Sequence, residues 1–225
     1  MILIRKRPPL YLIGISEPFP SLDEDFDDLI AIGGDLSVDR MLGAYKMGLF
    51  PWFIEYRMPH WYSPRIRMIL EPSKFRLSKS LARTIRSDRF EIRTDCAFEQ
   101  TIVSCANIKR KREKDTWITS DFVKGYCELH ELGYARSVES WQNGELVGGL
   151  YGLQIGRVFF GESMFASKPD ASKAALAFLS RNQPFGEIDM IDCQVPSAHL
   201  ASLGGVEISR ENYLKRLKYA IDNTQ

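Results

Sequence analysis

This chain has little of what most cofactor chemistry needs. Its 225 residues include three histidines, His60, His130 and His199, none close to another. The four cysteines, Cys96, Cys105, Cys127 and Cys193, are scattered and form no CxxC pair. That spacing argues against a zinc site and against a disulfide framework. Free thiols of this kind usually serve as small buried apolar groups. No metal and no cofactor are therefore expected. The patterns GxxxxGK[ST], HExxH and GxSxG are missing, which removes common signals of nucleotide hydrolysis, metalloproteolysis and serine hydrolysis. Gly33-Gly34 lacks the spacing of a dinucleotide fingerprint. No apolar run reaches the roughly 18 residues a membrane helix requires. Residues 10–15 are too short for a secretory core of roughly 7–15 residues. A cytoplasmic monomer with no membrane partner is the expectation.

What is present is ordinary in amount and uneven in placement. Apolar residues make up 44% and charged residues 26%, the proportions of a folded chain. The length suits one or two domains. Net charge is +1, but residues 1–56 sum to −4, residues 57–114 to +9 and residues 115–225 to −4. A basic middle between acidic flanks offers one cationic face to a polyanion.

Turn and periodicity signals divide the chain. The stretch Asp23-Glu24-Asp25 follows Pro18 and Pro20 and reads as exposed and irregular. A helix is expected over 38–47, capped by Ser37 and stopped by Gly48. Phe50-Pro51-Trp52-Phe53 follows, then a loop with Pro59 and Pro64, and a domain boundary is placed near 65. Ser78 caps a short helix to 87. A strand over 90–94, a helix over 97–106 and a charged loop, Lys109-Arg110-Lys111-Arg112-Glu113-Lys114, follow. Phe122, Tyr126 and Leu129 mark a helix over 120–132. Strands over 135–142, 145–153 and 157–164 form a meander, turning at Asn143-Gly144 and at residues 154–156. Asp170 caps a helix over 171–182. A strand over 188–195 and a helix over 210–221 complete the reading. Helices on a largely antiparallel sheet define an α+β fold.

The chemically unusual residues are polar groups inside apolar strands. In Met190-Ile191-Asp192-Cys193-Gln194-Val195 a two-residue period puts Asp192 and Gln194 on one face. Glu162 lies in Phe159-Phe160-Gly161-Glu162-Ser163-Met164-Phe165. Burying a carboxylate costs several kcal/mol unless it is paired or hydrogen-bonded, so such acids mark either structural pairs or a site. Tyr45, Trp52, Trp61, Tyr62, Trp117 and Tyr126 lie in or beside loops, where rings can stack bases. Lys79, Arg83 and Arg86, spaced i, i+4, i+7, make one cationic helix face with Arg76 just before it.

These residues resemble those of bacterial leucyl/phenylalanyl-tRNA–protein transferases. The likeness runs in order through Ile32-Gly33-Gly34-Asp35-Leu36-Ser37, Gly48-Leu49-Phe50-Pro51-Trp52-Phe53, Thr116-Trp117-Ile118-Thr119, Val147-Gly148-Gly149-Leu150-Tyr151-Gly152, Gly161-Glu162-Ser163-Met164-Phe165 and Ile191-Asp192-Cys193-Gln194-Val195. The resemblance implies a small N-terminal domain, residues 1–65, and a GNAT-like acyltransferase domain, residues 66–225. It implies transfer of Leu or Phe from aminoacyl-tRNA to acceptor proteins with N-terminal Arg or Lys, marking them for N-degron proteolysis, and the coarse discrimination of an apolar pocket extends the donor range toward Met. It assigns Asp192, Gln194 and Glu162 to the catalytic centre. Trp52 and Trp117 fall near the terminal adenosine, and Tyr45 and Tyr126 match active-site tyrosines. Leu150, Phe159, Met164, Leu176, Leu179 and Ile191 match the pocket for the transferred side chain. The set Arg76, Lys79, Arg83 and Arg86 is expected on the tRNA backbone. Aminolysis of an ester needs a neutral amine, a held carbonyl and a proton path, and neither metal nor energy cofactor. Two other readings compete: an acetyl-CoA-dependent acetyltransferase, for which the Gly-rich pyrophosphate loop is missing before Asp170, and a non-catalytic RNA-binding module, which leaves Glu162, Asp192 and Gln194 unexplained.

Overall fold

Eleven strands and seven α-helices organise the computed structural model, which describes residues 9–22, 26–108 and 116–222. The acidic stretch 23–25 and the basic run 109–114 lie outside the described residues. The strands are β1 (Tyr11–Ile13), β2 (Leu29–Gly33), β3 (Phe50–Glu55), β4 (Met58–Tyr62), β5 (Ile66–Leu70), β6 (Glu91–Thr94), β7 (Ala135–Gln142), β8 (Glu145–Ile155), β9 (Val158–Ala166), β10 (Met190–Asp192) and β11 (Val206–Ser209). The helices are α1 (Val38–Lys46), α2 (Lys79–Arg86), α3 (Phe98–Asn107), α4 (Ser120–Glu131), α5 (Ala171–Asn182), α6 (Ala198–Ser202) and α7 (Arg210–Asp222).

Two sheets result. The smaller has the order β1-β2-β4-β3; the larger runs β11-β5-β10-β9-β8-β7-β6. Within the larger sheet only β9 and β10 pair in parallel. Asn143-Gly144 both take positive φ, as a type I′ hairpin between β7 and β8 demands. Neighbouring residues of β8 separate the two faces: Tyr151 joins a cluster with α3 and α4, while Leu150 joins a second cluster with Leu176 and Leu179 of α5. The first cluster also takes in Phe50, Trp61 and Tyr45, so the small sheet and the large one share apolar packing.

The structure corrects several sequence expectations. The stretch after Phe53, expected as loop, instead completes the hairpin β3–β4. Pro51 is tolerated because β3 is an edge strand, and Pro59 because it lies beyond the pairing of β4 with β2. Trp61 is fully buried and donates to the Gly33 carbonyl at 2.9 Å, so it is core rather than a stacking platform. β8 continues to Ile155, and its turn is Gly156-Arg157. Asp170 precedes α5 as expected but sits at φ +70° and bonds Lys173 and Thr84 instead of capping the helix. The strand expected over 188–195 ends at Asp192. There the Asp192 Oδ1 accepts the backbone N–H of Gln194 at 2.9 Å, and the chain bulges, with Gln194 at φ +62° while Cys193 N–H and the Gln194 carbonyl both still bond Met68 of β5. Asp192 and Gln194 therefore do not share a strand face.

Candidate active site

A cavity of about 410 Å³ opens where β3, β8, β9, α5 and the segment after β10 meet. Trp52 and Trp117 stand at its edge, each half-buried. Leu150, Phe159, Met164, Leu176 and Ile191 supply its apolar wall, while Glu162 and Gln194 supply polar groups. Phe159 and Met164 are five residues apart on β9, and strict alternation would put them on opposite faces. The register explains their shared cavity: Tyr151 pairs with Ser163 and Gly152 with Gly161, leaving Glu162 as the extra residue of a bulge. Only glycine fits at 152, because a Cβ there would collide with the Phe160 carbonyl oxygen.

The bulge delivers Glu162 to a cluster of hydroxyls. Tyr45 of α1 donates to its Oε1 and Tyr126 of α4 to its Oε2, both at 2.7 Å. The two tyrosine oxygens are themselves 2.7 Å apart. Gln194 Nε2 donates to Oε1 at 2.7 Å. Burial lifts the Glu162 carboxyl to about 7; donation from Tyr126 and Tyr45 to its ionised form opposes that rise, Asp192 adds to it and Arg67 subtracts. Burial, and then the charge of Glu162, holds both tyrosines well above the ordinary phenol range.

Asp192 lies behind this cluster. It has no exposed surface and is gripped by Arg67 of β5, whose Nε reaches Oδ1 at 2.8 Å and whose Nη2 reaches Oδ2 at 2.6 Å. Tyr213 of α7 donates to Oδ2 at 2.7 Å. The Arg67 guanidinium is sandwiched between the rings of Phe50 and Tyr213, with centroids 4.7 and 4.4 Å away. Burial works against the arginine's charge, but Asp192 and Tyr213 overcome it and the net direction is upward. Arg67 and Tyr213 were missed by the sequence reading, although Arg67 carries the same signal as Glu162 and Asp192: a charge inside the apolar run Ile66–Leu70. Tyr213 on an amphipathic helix gives no such signal.

Of the expected site residues, Trp52, Trp117, Leu150, Phe159, Met164, Leu176, Ile191, Glu162 and Gln194 line the cavity. Tyr45 and Tyr126 touch it only through Glu162, and Asp192 only through Gln194. Leu179 does not line it; it is fully buried in the cluster beneath. Arg76, Lys79, Arg83 and Arg86 are exposed, outside the cavity, and make no ion pair among the described residues. Ser78 caps α2 by accepting the Leu81 N–H, and Leu81 is buried, so the basic side of α2 faces outward. No described helix is long and apolar enough to cross a membrane.

A family model for leucyl/phenylalanyl-tRNA protein transferase matches residues 69–218, and the model of that family's N-terminal domain matches residues 34–65. Relatives bearing the same description include one from Syntrophobacter fumaroxidans, 50% identical over 88% of this chain and 85% of its own. Others come from Dechloromonas aromatica, 47% identical over 91% of this chain and 89% of its own, and from Desulfatibacillum aliphaticivorans, 45% identical over 95% and 92%. The site thus lies in an enzyme of the aminoacyltransferase class. Within that class, the chain belongs to the leucyl/phenylalanyl-tRNA–protein transferase family.

Proposed function

We propose that this protein moves Leu or Phe, with Met at the edge of its range, from aminoacyl-tRNA to the N-terminal Arg or Lys of acceptor proteins. The observation that carries the reading is the cavity itself: a pocket with a largely apolar wall, lined also by Glu162, Gln194 and the indoles of Trp52 and Trp117. Such a pocket separates side chains differing by a methylene by only about 1–3 kcal/mol, which suits a short list of large apolar donors. The adenosine stacks against Trp52 or Trp117, and Leu150, Phe159, Met164, Leu176 and Ile191 receive the transferred side chain. Leu179 supports that wall from behind.

Asp192 acts as a positioning residue. It is sealed from the cavity and bound to Arg67, so its reach to substrate is through the backbone of Gln194. Gln194 donates one of its two amide hydrogens to Glu162, and its Oε1 is left to accept from the attacking amine. The exposed set Arg76, Lys79, Arg83 and Arg86 meets phosphates of the acceptor stem, whose deep major groove side chains do not read. We read residues 66–225 as a GNAT-like acyltransferase domain, supported by the single parallel pair β9–β10 around α5, and residues 1–65 as a small N-terminal domain. A cytoplasmic monomer that marks proteins for degradation is the accompanying proposal.

Incubation with Leu-tRNA or Phe-tRNA and an Arg-starting peptide, without acetyl-CoA, tests the reading. Covalent extension of the peptide is expected; extension only with acetyl-CoA, or tRNA binding without transfer, overturns it.

A further inference from the structure

The hydrogens around Glu162 can be counted. Four oxygens (Tyr45 Oη, Tyr126 Oη, and Oε1 and Oε2 of Glu162) make three contacts, each of 2.7 Å. A contact that short between oxygens is the length of an O–H···O bond. Without a hydrogen, two sets of lone pairs face each other. The two hydroxyls supply two hydrogens, and the third contact is filled only when Glu162 carries a proton. In that protonated form the Tyr126–Oε2 bond reverses, and the bonds run one way around a ring: Glu162 Oε2–H to Tyr126, Tyr126 to Tyr45, Tyr45 to Oε1. Gln194 donates to Oε1 from outside the ring and leaves this count unchanged.

We propose that Glu162, seated in the ring of Tyr45 and Tyr126, is the proton acceptor for the attacking amine. Ionised, the ring is one hydrogen short, and the acceptor's α-ammonium supplies it. The inference rests on the transfer reaction proposed above. The nitrogen begins with three hydrogens. One passes to Glu162 as an N–H bond breaks and an O–H bond forms, freeing the nitrogen lone pair to bond the ester carbonyl carbon. The second passes to the ribose oxygen as the C–O bond breaks. The third stays on the new amide. Glu162 then loses its proton to solvent, so one proton is released per transfer, as ammonium plus ester giving amide plus alcohol requires.

Glu162 lines the cavity, while Tyr45 and Tyr126 are fully buried and serve as positioning residues. The other titratable groups around Glu162 are Tyr151 of β8, Arg67 of β5, Asp192 of β10, Tyr213 of α7 behind Asp192, and Cys193. Arg67 and Asp192 pair with each other, so their charges largely cancel at Glu162. Burial brings the carboxyl to about 7, where proton uptake and release are both accessible near neutral pH.

The tyrosines decide the matter by the sign of their effect. Hydroxyls that only donate to a carboxylate hold its pKa down, and removing one raises it. Hydroxyls that close a ring with a neutral carboxyl lose two bonds in that form when one is removed, whereas the ionised form loses one bond and one repulsive contact. Ionisation is then favoured. The experiment follows the infrared carbonyl stretch of the protonated carboxyl, assigned by its absence in Glu162→Gln, across pH in the free enzyme. A midpoint near neutrality is expected for the wild type, moving to lower pH in Tyr45→Phe and Tyr126→Phe. Glu162→Asp, which keeps the acid but opens the ring, should move the same way. A shift to higher pH, or no such band between about pH 5 and pH 9, overturns the ring.

Steady-state transfer from Leu-adenosine to an Arg-starting peptide supplies the second arm. Glu162→Gln should lower kcat by about 10²–10⁴-fold with acceptor KM little changed. A loss confined to acceptor KM would make Glu162 an anchor for the acceptor and overturn the proton transfer. Failure of the wild-type protein to transfer from any charged tRNA would instead overturn the reaction, while the infrared result stands on the free enzyme.

Discussion

Asp192 and Glu162 are carboxylates in neighbouring strands of one sheet, both inside apolar runs, yet their surroundings are opposed. Asp192 meets a guanidinium in a two-pronged contact and takes further bonds from Tyr213 and the Gln194 backbone. Glu162 meets neutral partners: two phenols and an amide. Side-chain type does not set the role of a buried acid; the charge of its partner does. The pair with Arg67 is a fixed neutral unit that shapes the chain. The acid among hydroxyls is poised to exchange a proton.

Removing one member of the ion pair breaks this comparison most severely. Asp192→Ala leaves Arg67 as an uncompensated buried charge, and a loss of about 3–5 kcal/mol in urea unfolding is expected, together with loss of transfer. A variant of wild-type stability would show that the pair is not a structural strut. The double change Arg67→Met, Asp192→Leu sharpens the point: stability should largely return while transfer does not.

Glu162 leaves its mark on pH dependence. Its carboxyl binds a proton more tightly in the folded chain, near 7, than at the ordinary value of 4.5. The stability it contributes is therefore complete below about pH 4.5 and is lost as pH rises through about 7, a change of about 3 kcal/mol. Urea midpoints of the wild type minus those of Glu162→Gln, taken across this window, should fall with rising pH; a flat difference would remove the contrast between the two acids.

Gln194→Ala should slow transfer by about 10²-fold through weakened positioning, with little change in melting temperature. An unchanged rate would disconnect Asp192 from the cavity. Trp52→Ala and Trp117→Ala should each weaken use of aminoacyl-tRNA by about 1–3 kcal/mol, read as KM against Leu-tRNA and Leu-adenosine. If neither KM moves, the indoles are packing. The smallest effect per residue is expected on α2. Replacing Arg76, Lys79, Arg83 and Arg86 with Ala should weaken Leu-tRNA and Phe-tRNA alike and lower the salt slope by about 1 for each phosphate no longer neutralised, sparing Leu-adenosine.

How far the sequence could be read depends on what each element is built from. α4 and α5 have clear helical periods, and β7 ends in Asn143-Gly144, so their limits were legible within a few residues. β3 and β4 were hidden by prolines that an edge strand and a strand end paired on one side alone tolerate. β5 is short and mostly buried, without the alternation that marks a strand. The apolar cavity wall was legible apart from Leu179, and so were the two acids. Their partners were not: Arg67 lies 125 residues before Asp192, and no local pattern reports a contact at that distance. The bulge that aims Glu162 is likewise a property of two strands together.

That separation has a consequence during synthesis. At about 5–20 residues per second, roughly 6–25 s pass between translation of Arg67 and translation of Asp192. Tyr213 comes a further 21 residues later. Through that interval β5 is without β10 and β11, its partners in the large sheet, and an arginine destined for a dry interior must stay wet. The strand can be laid down in place only after its acid exists. Catalytic competence thus waits on the synthesis of Asp192, and a nascent chain stopped before it could bury the apolar half of the site but not lock it.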